Sequence, residues 1–188
     1  MKKASLFALA LCLFAAVSQA QVRIGARGGL NISNIVGKDA EGYKSKAGFF
    51  IGGVAEIPVV SQVSVQPEAY FSLEGAKWDD EDGGATRLSY IKIPVLAKYT
   101  SPVGVYAETG PQVGFLVKAT DEWEGDKEDI MKYLKKTEFS WAFGAGYYIT
   151  PQLGVHIRYN AGLTSFYETE KNSVFQVGVQ YMLGQTRK

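Results

Sequence analysis

The sequence predicts an all-β fold, an eight-stranded antiparallel up-and-down transmembrane β-barrel preceded by a signal peptide. Three observations predict it. Eight stretches, read at every second residue, present a face without one charged side chain, although Asp, Glu, Lys and Arg make up 21% of the chain. The connections between those stretches alternate between short turns and long polar loops. Glycine, at 21 residues, and the aromatics Tyr and Phe, at 11 and 10, are abundant, as barrel walls and their girdles require.

In chain order, residues 1–20 come first. Lys2 and Lys3 precede the apolar run from Ala4 to Val17, and Ser18-Gln19-Ala20 supplies a small-residue cleavage site, so this segment is expected to be a cleaved Sec signal peptide. Residues 21–188 are then one outer-membrane barrel domain. The run is too short for a comfortable helical span, and no later window reaches 18 apolar residues. Cys12, the single cysteine, sits inside the run, which argues against a lipoprotein and leaves no disulfide or thiolate metal site in the remainder. A net charge of +1 shows no basic excess, and nucleic acid is not an expected partner.

The alternating stretches run Val22 to Ile32, Phe49 to Ile57, Val63 to Leu73, Ser89 to Tyr99, Val103 to Val117, Phe139 to Ile149, Leu153 to Leu163 and Phe175 to Leu183. Strict period-2 alternation sends neighbouring side chains to opposite faces of a strand. Pro58 to Gln62, Thr100 to Pro102 and Thr150 to Gln152 are the short turns. Ile35 to Gly48, Glu74 to Leu88, Lys118 to Glu138 and Thr164 to Val174 are the long loops, and in an outer-membrane barrel the short turns are periplasmic. Pro67, Pro94 and Pro111 fall inside strands that have no free edge, which predicts bulges or interrupted ladders there.

Alternation alone is also compatible with a soluble lipocalin-like carrier whose apolar face points inward. Three features favour the lipid-facing alternative. The polar face carries many glycines, among them Gly25, Gly29, Gly52, Gly144, Gly146 and Gly178, which suit a narrow lumen shared with large side chains. Tyr99, Tyr147 and Tyr181 fall on the apolar face at one common end, as an interfacial aromatic belt would. Arg23, Arg27, Lys92, Lys98, Lys118 and Arg158, with Glu56, Glu68, Glu74 and Glu108, share the polar face and can pair inside a closed barrel.

Segments around the prolines carry a resemblance. Ser64-Val65-Gln66-Pro67-Glu68-Ala69-Tyr70-Phe71, Leu88-Ser89-Tyr90-Ile91-Lys92-Ile93-Pro94-Val95 and Gly110-Pro111-Gln112-Val113-Gly114-Phe115 resemble the Bacteroidota outer-membrane β-barrel family, the PorT-like or porin-family proteins. Gly29-Leu30-Asn31-Ile32-Ser33 and Gln176-Val177-Gly178-Val179-Gln180-Tyr181 also fit. The resemblance implies an outer-membrane barrel inserted by the barrel-assembly machinery. It implies no defined activity, and a secretion role in one branch only. The polar tail from Gly184 to Lys188 departs from barrels that end on an aromatic residue.

His156, the only histidine, is the one candidate base for a lipid-modifying enzyme, but its phase places it on the polar face beside Arg158, as a lumen histidine bonded to neighbours. The acidic stretch Trp78-Asp79-Asp80-Glu81-Asp82 lacks calcium-loop spacing, so no metal site and no cofactor are expected. The loop from Asp121 to Lys136 passes from acidic to basic, predicting a short rim helix, and Trp123, Ile130, Tyr133 and Leu134 are its candidates for contact with a protein partner. The expected lumen charge network is Arg23, Arg27, Glu56, Glu68, Lys92, Glu108, His156 and Arg158. The whole reads as a small, non-enzymatic outer-membrane barrel with a filled lumen and loops that bind a partner or lipopolysaccharide. The alternatives are a transport or secretion accessory, a lipid-modifying barrel enzyme and a soluble ligand carrier.

Overall fold

The computed structural model describes residues 22–38, 42–78, 84–123, 126–167 and 169–183; the expected signal peptide and the tail from Gly184 lie outside them. Among the described residues there are eight long strands: β1 Arg23–Val36, β2 Tyr43–Val60, β3 Val63–Trp78, β4 Ala85–Thr100, β5 Val105–Trp123, β7 Thr137–Tyr148, β8 Leu153–Gly162 and β9 Lys171–Leu183. A ninth, short strand, β6 Asp126–Asp129, lies between β5 and β7 in the chain. Each long strand pairs antiparallel with the next, and β1 pairs with β9 from Ile24↔Leu183 to Val36↔Lys171, which closes the ring.

Closure decides where each face points. On β1, Ile24 and Leu30 are 60% and 67% exposed while Arg27 and Asn31 are 2% and 0% exposed. The same division runs round the ring: the uncharged face lies outside and the ionic face inside. This is the inverse of a soluble carrier, in which apolar side chains fill the interior.

Apart from β8, which ends one residue short of the stretch Leu153 to Leu163, the long strands exceed what the alternation suggested. A tilted strand crosses a bilayer in about 9–11 residues; β2 has 18 and β5 has 19, whereas β7 and β8 have 12 and 10. Most of the surplus lies at the long-loop end, so segments read as loop in 35–48, 74–88 and 118–138 are partly strand and one wall stands taller than the other; at the short-turn end β2 runs on to Val60, so part of the turn read from Pro58 to Gln62 is strand.

The expected rim helix is replaced by strand. β5 continues to Trp123, and β6 folds back on it with Thr120↔Asp129 and Glu122↔Lys127, before a single 3-10 turn at Met131–Tyr133. The reason is cooperative pairing: β5 is already held by β4 as far as Ala85↔Glu122, and a short isolated helix has too costly a nucleus to compete with an existing ladder.

At the strand prolines the printed pairs skip from Pro67↔Val95 to Tyr70↔Lys92, and from Pro94↔Gln112 to Ala97↔Thr109, with no change of register. These are interrupted ladders, while β5–β7 pairing runs unbroken through Pro111↔Trp141. The register shifts lie elsewhere. Between Ser89↔Lys118 and Tyr90↔Leu116 one extra residue, Val117, enters β5. That bulge inverts the alternation beyond it, so Lys118, expected in the lumen, is exposed on the outside.

Candidate functional site

Inward-facing side chains fill the barrel in three tiers. At the short-turn end, Tyr148 Oη donates to Glu56 Oε2 (2.8 Å), and Lys98 Nζ lies 3.5 Å from that oxygen and 2.9 Å from Tyr148 Oη. Arg23 approaches Glu56 at 3.8 Å with its guanidinium over the Tyr148 ring. In the middle, Arg158 Nη1 donates to Glu68 at 2.9 Å and its Nε to Glu108 at 2.9 Å, and Arg27 contacts Glu68. Gln66 Nε2 donates to both carboxylates, at 2.7 and 2.9 Å. Toward the long-loop end, Lys92 bridges Glu74 (3.1 Å) and Glu138, and Glu138 also accepts from Asn172.

In these contacts Arg23, Arg27, Lys92, Lys98 and Arg158 are matched one for one by Glu56, Glu68, Glu74, Glu108 and Glu138. Buried ions persist when each finds an opposite charge and hydrogen bonds for its remaining valences. Glycine makes room for them. A Cβ on Gly144 would lie 2.8 Å from Glu108, and one on Gly146 2.3 Å from the Tyr106 ring.

The structure thus brings together seven of the residues singled out in the sequence for the lumen and leaves His156 apart. Its ring meets Phe50 edge-on at 5.8 Å, and neither nitrogen has a hydrogen-bond partner among the described residues, in contrast to the bonded histidine expected. Glu138 went unrecognised because it lies one residue before the assigned start of its strand, although its parity marks it as inward. Tyr99, Tyr147 and Tyr181 are exposed on the outer face near the short turns.

Above Lys92 the interior changes character. Ile35, Ala76, Leu88, Tyr90, Leu116, Ala119 and Phe166 form an apolar core inside the mouth, with Tyr43, Ile130, Met131 and Leu134 packed against it. Tyr43 Oη donates to Glu170 at 3.3 Å, and burial together with that carboxylate pushes its phenol up to about 12. Of the four loop residues singled out for a partner, Ile130 and Leu134 therefore serve this core, whereas Trp123 and Tyr133 are exposed. Trp123 meets Trp78 edge-to-face at 6.1 Å. Among the described residues no group of three or more His, Cys, Asp and Glu is arranged to hold a metal, and residues 79–83 of the acidic stretch lie outside the described residues.

A closed ring with an apolar exterior and an ionic interior is the architecture of a bacterial outer-membrane barrel. Residues 17–168 match the family model described as outer membrane protein beta-barrel domain. The chain belongs to this family. Among solved structures, this outer-membrane barrel is similar to Neisserial surface protein A (NspA) with a TM-score of 0.57 and 13% identity, covering 84% of this chain and 96% of that one. It is also similar to Ail, the attachment invasion locus protein of Yersinia pestis, in complex with the heparin analogue sucrose octasulfate. Here the TM-score is 0.51 and the identity 16%, over 87% of this chain and 99% of the other. Likeness at these identities is a likeness of fold. No curated protein matches the chain in sequence.

Proposed function

We propose that this outer-membrane barrel is a closed, non-enzymatic anchor that presents the tall β2–β6 sheet outside the cell as a binding surface for envelope glycolipid or a protein partner. One observation carries the reading: charge-matched side chains fill the lumen and an apolar core fills its mouth, so the features left for function are the strand extensions and loops. Trp123, Tyr133 and the adjoining rim are the candidate partner surface, with Tyr99, Tyr147 and Tyr181 as the interfacial belt. His156, turned inward against Phe50, is remote from the lipid face where an acyl-modifying base would work, which supports the non-enzymatic reading. The similarity to Ail, solved with a sulfated sugar, supports surface ligand binding. Residues 1–20 act in this reading as a cleaved Sec signal, and the barrel-assembly machinery inserts residues 21–188.

The test is electrical. Purified protein in planar bilayers is expected to give no discrete conductance steps, and stable single-channel currents from the unaltered protein would overturn the closed-anchor reading. The PorT-like segments around Pro67, Pro94 and Pro111 favour a second reading, an accessory of a secretion machine in Bacteroidota. Co-purification of a stoichiometric envelope complex would select it.

A further inference from the structure

We propose that Arg87, Lys118 and Lys127, on the outer face of the tall wall, bind the phosphate groups of an anionic glycolipid in the surrounding leaflet. The inference rests on the reading that the long-loop end is extracellular, and it gives the glycolipid partner a site. A concavity of about 400 Å³ lies on this face, and its lining includes all three cations. Leu73 lines it too, directly above the apolar girdle of Phe71, Phe115 and Val117; Ser89 and Thr120 add hydroxyls.

The backbone assembles the cluster. The bulge at Val117 turns Lys118 outward, opposite Ser89 in the ladder. Arg87 lies between Thr120 on β5 and Gly75 on β3 in the ladders. Gly75 has φ +124°, a conformation that suits glycine. β6 then brings Lys127 opposite Glu122. Without the bulge and the β6 hairpin, which the sequence pattern did not reveal, these charges would not converge.

Their charge is incompletely answered. Arg87 and Lys127 share one carboxylate, Glu122, which contacts Arg87 and lies 3.8 Å from Lys127. Lys118 has no carboxylate partner among the described residues, and Asp129 is the one acid in the lining of the concavity. At corresponding outward positions the opposite wall carries Asn34, Val36, Thr137, Ala161 and Ser173, with Lys171 as its cation. Phosphates of a membrane lipid sit just outside the acyl region, where a guanidinium fork and ammonium groups bind them well. A soluble polysulfated glycan offers similar anions, but it has no use for the apolar girdle directly beneath.

The experiment measures lipid A retention by the detergent-solubilised full-length protein, using native mass spectrometry. Phosphorylated and enzymatically dephosphorylated lipid A are the probes, and a heparin fragment is the soluble alternative. At about fivefold per surface cation, the R87Q/K118Q/K127Q variant is expected to bind phosphorylated lipid A ~100-fold more weakly, while Lys171→Gln binds as the unaltered protein does. Dephosphorylated lipid A should bind the unaltered protein as weakly as the phosphorylated lipid binds the triple variant. Equal binding by the triple variant, or equal binding of both lipids, overturns the proposal. So does a site at which the heparin fragment, and not lipid A, depends on the three cations. Heat-modifiable gel mobility reports folding. Should the triple variant not fold, Lys118→Gln alone, at an exposed position without a carboxylate partner, is expected to lose about fivefold, and unchanged binding would overturn the proposal. Labelling a Tyr133→Cys variant on intact cells reports separately whether the long-loop end faces outward, so a wrong orientation is distinguished from a wrong site.

Discussion

Two halves of one lumen solve the same problem with opposite chemistry. Along β4 the inward side chains from the short-turn end are Lys98, Leu96, Pro94 and Lys92, then Tyr90 and Leu88. Up to Lys92 the interior is held by ion pairs, and beyond Tyr90 by apolar packing. The Lys92 ammonium sits 4.3 Å from the centre of the Tyr90 ring, which joins the two regimes. A closed ring of eight strands leaves an interior that side chains just fill. In the ionic half, exact matching of charge sets the stability; in the mouth, volume does.

The largest expected effect breaks the ionic half. Arg158→Ala leaves Glu68 and Glu108 short of a buried partner and should cost about 3–5 kcal/mol, measured by urea unfolding in lipid vesicles followed by tryptophan fluorescence. Adding Glu108→Gln should recover part of that loss, because the pair Arg27 and Glu68 then remains matched. No recovery would mean that packing, and not charge matching, holds the middle tier. A smaller effect belongs to the mouth. Leu88→Ala should cost about 2–4 kcal/mol, but as local opening: hydrogen exchange is expected to quicken in the upper parts of β3, β4 and β5 and to stay slow around Arg158. Uniform acceleration would show that the two halves unfold as one unit.

The smallest effect sharpens the boundary with solvent. Tyr43 is held neutral up to about 12 against an ordinary value of 10.0. A phenol whose folded value is raised contributes stability that is complete below pH 10 and is lost as the pH rises through 12. Tyr43→Phe should therefore remove one late-titrating tyrosine from the absorbance at 295 nm and flatten the alkaline end of the stability curve. A Tyr43 signal near pH 10 would show that the mouth is wet.

How much of this was legible in the sequence follows from the range of the interactions. The middle tier was legible because Arg27, Glu68, Glu108 and Arg158 lie on stretches of strand whose alternation is undisturbed, Glu108 well before the bulge at Val117, so parity alone assigns them inward. Lys118 was misassigned because one inserted residue reverses parity, and neither Val117 nor its neighbours announce a bulge. The rim helix was misread because charge order along 121–136 is a local signal, while the β5–β6 hairpin depends on β4 already being in place. Ile130 and Leu134, four apart, do share a side; it faces the mouth core and not a helix groove.

By itself the sequence determined the count of the eight long strands, the order of the meander and the chemical split between two faces, because side-chain direction in a strand obeys a two-residue period that needs no partner. Only the closed ring decided which carboxylate meets which cation, how far each strand rises beyond the membrane and where Lys118 points. Those outcomes depend on register between strands distant in the chain, and register is fixed by the pairing of whole ladders and not by any one segment.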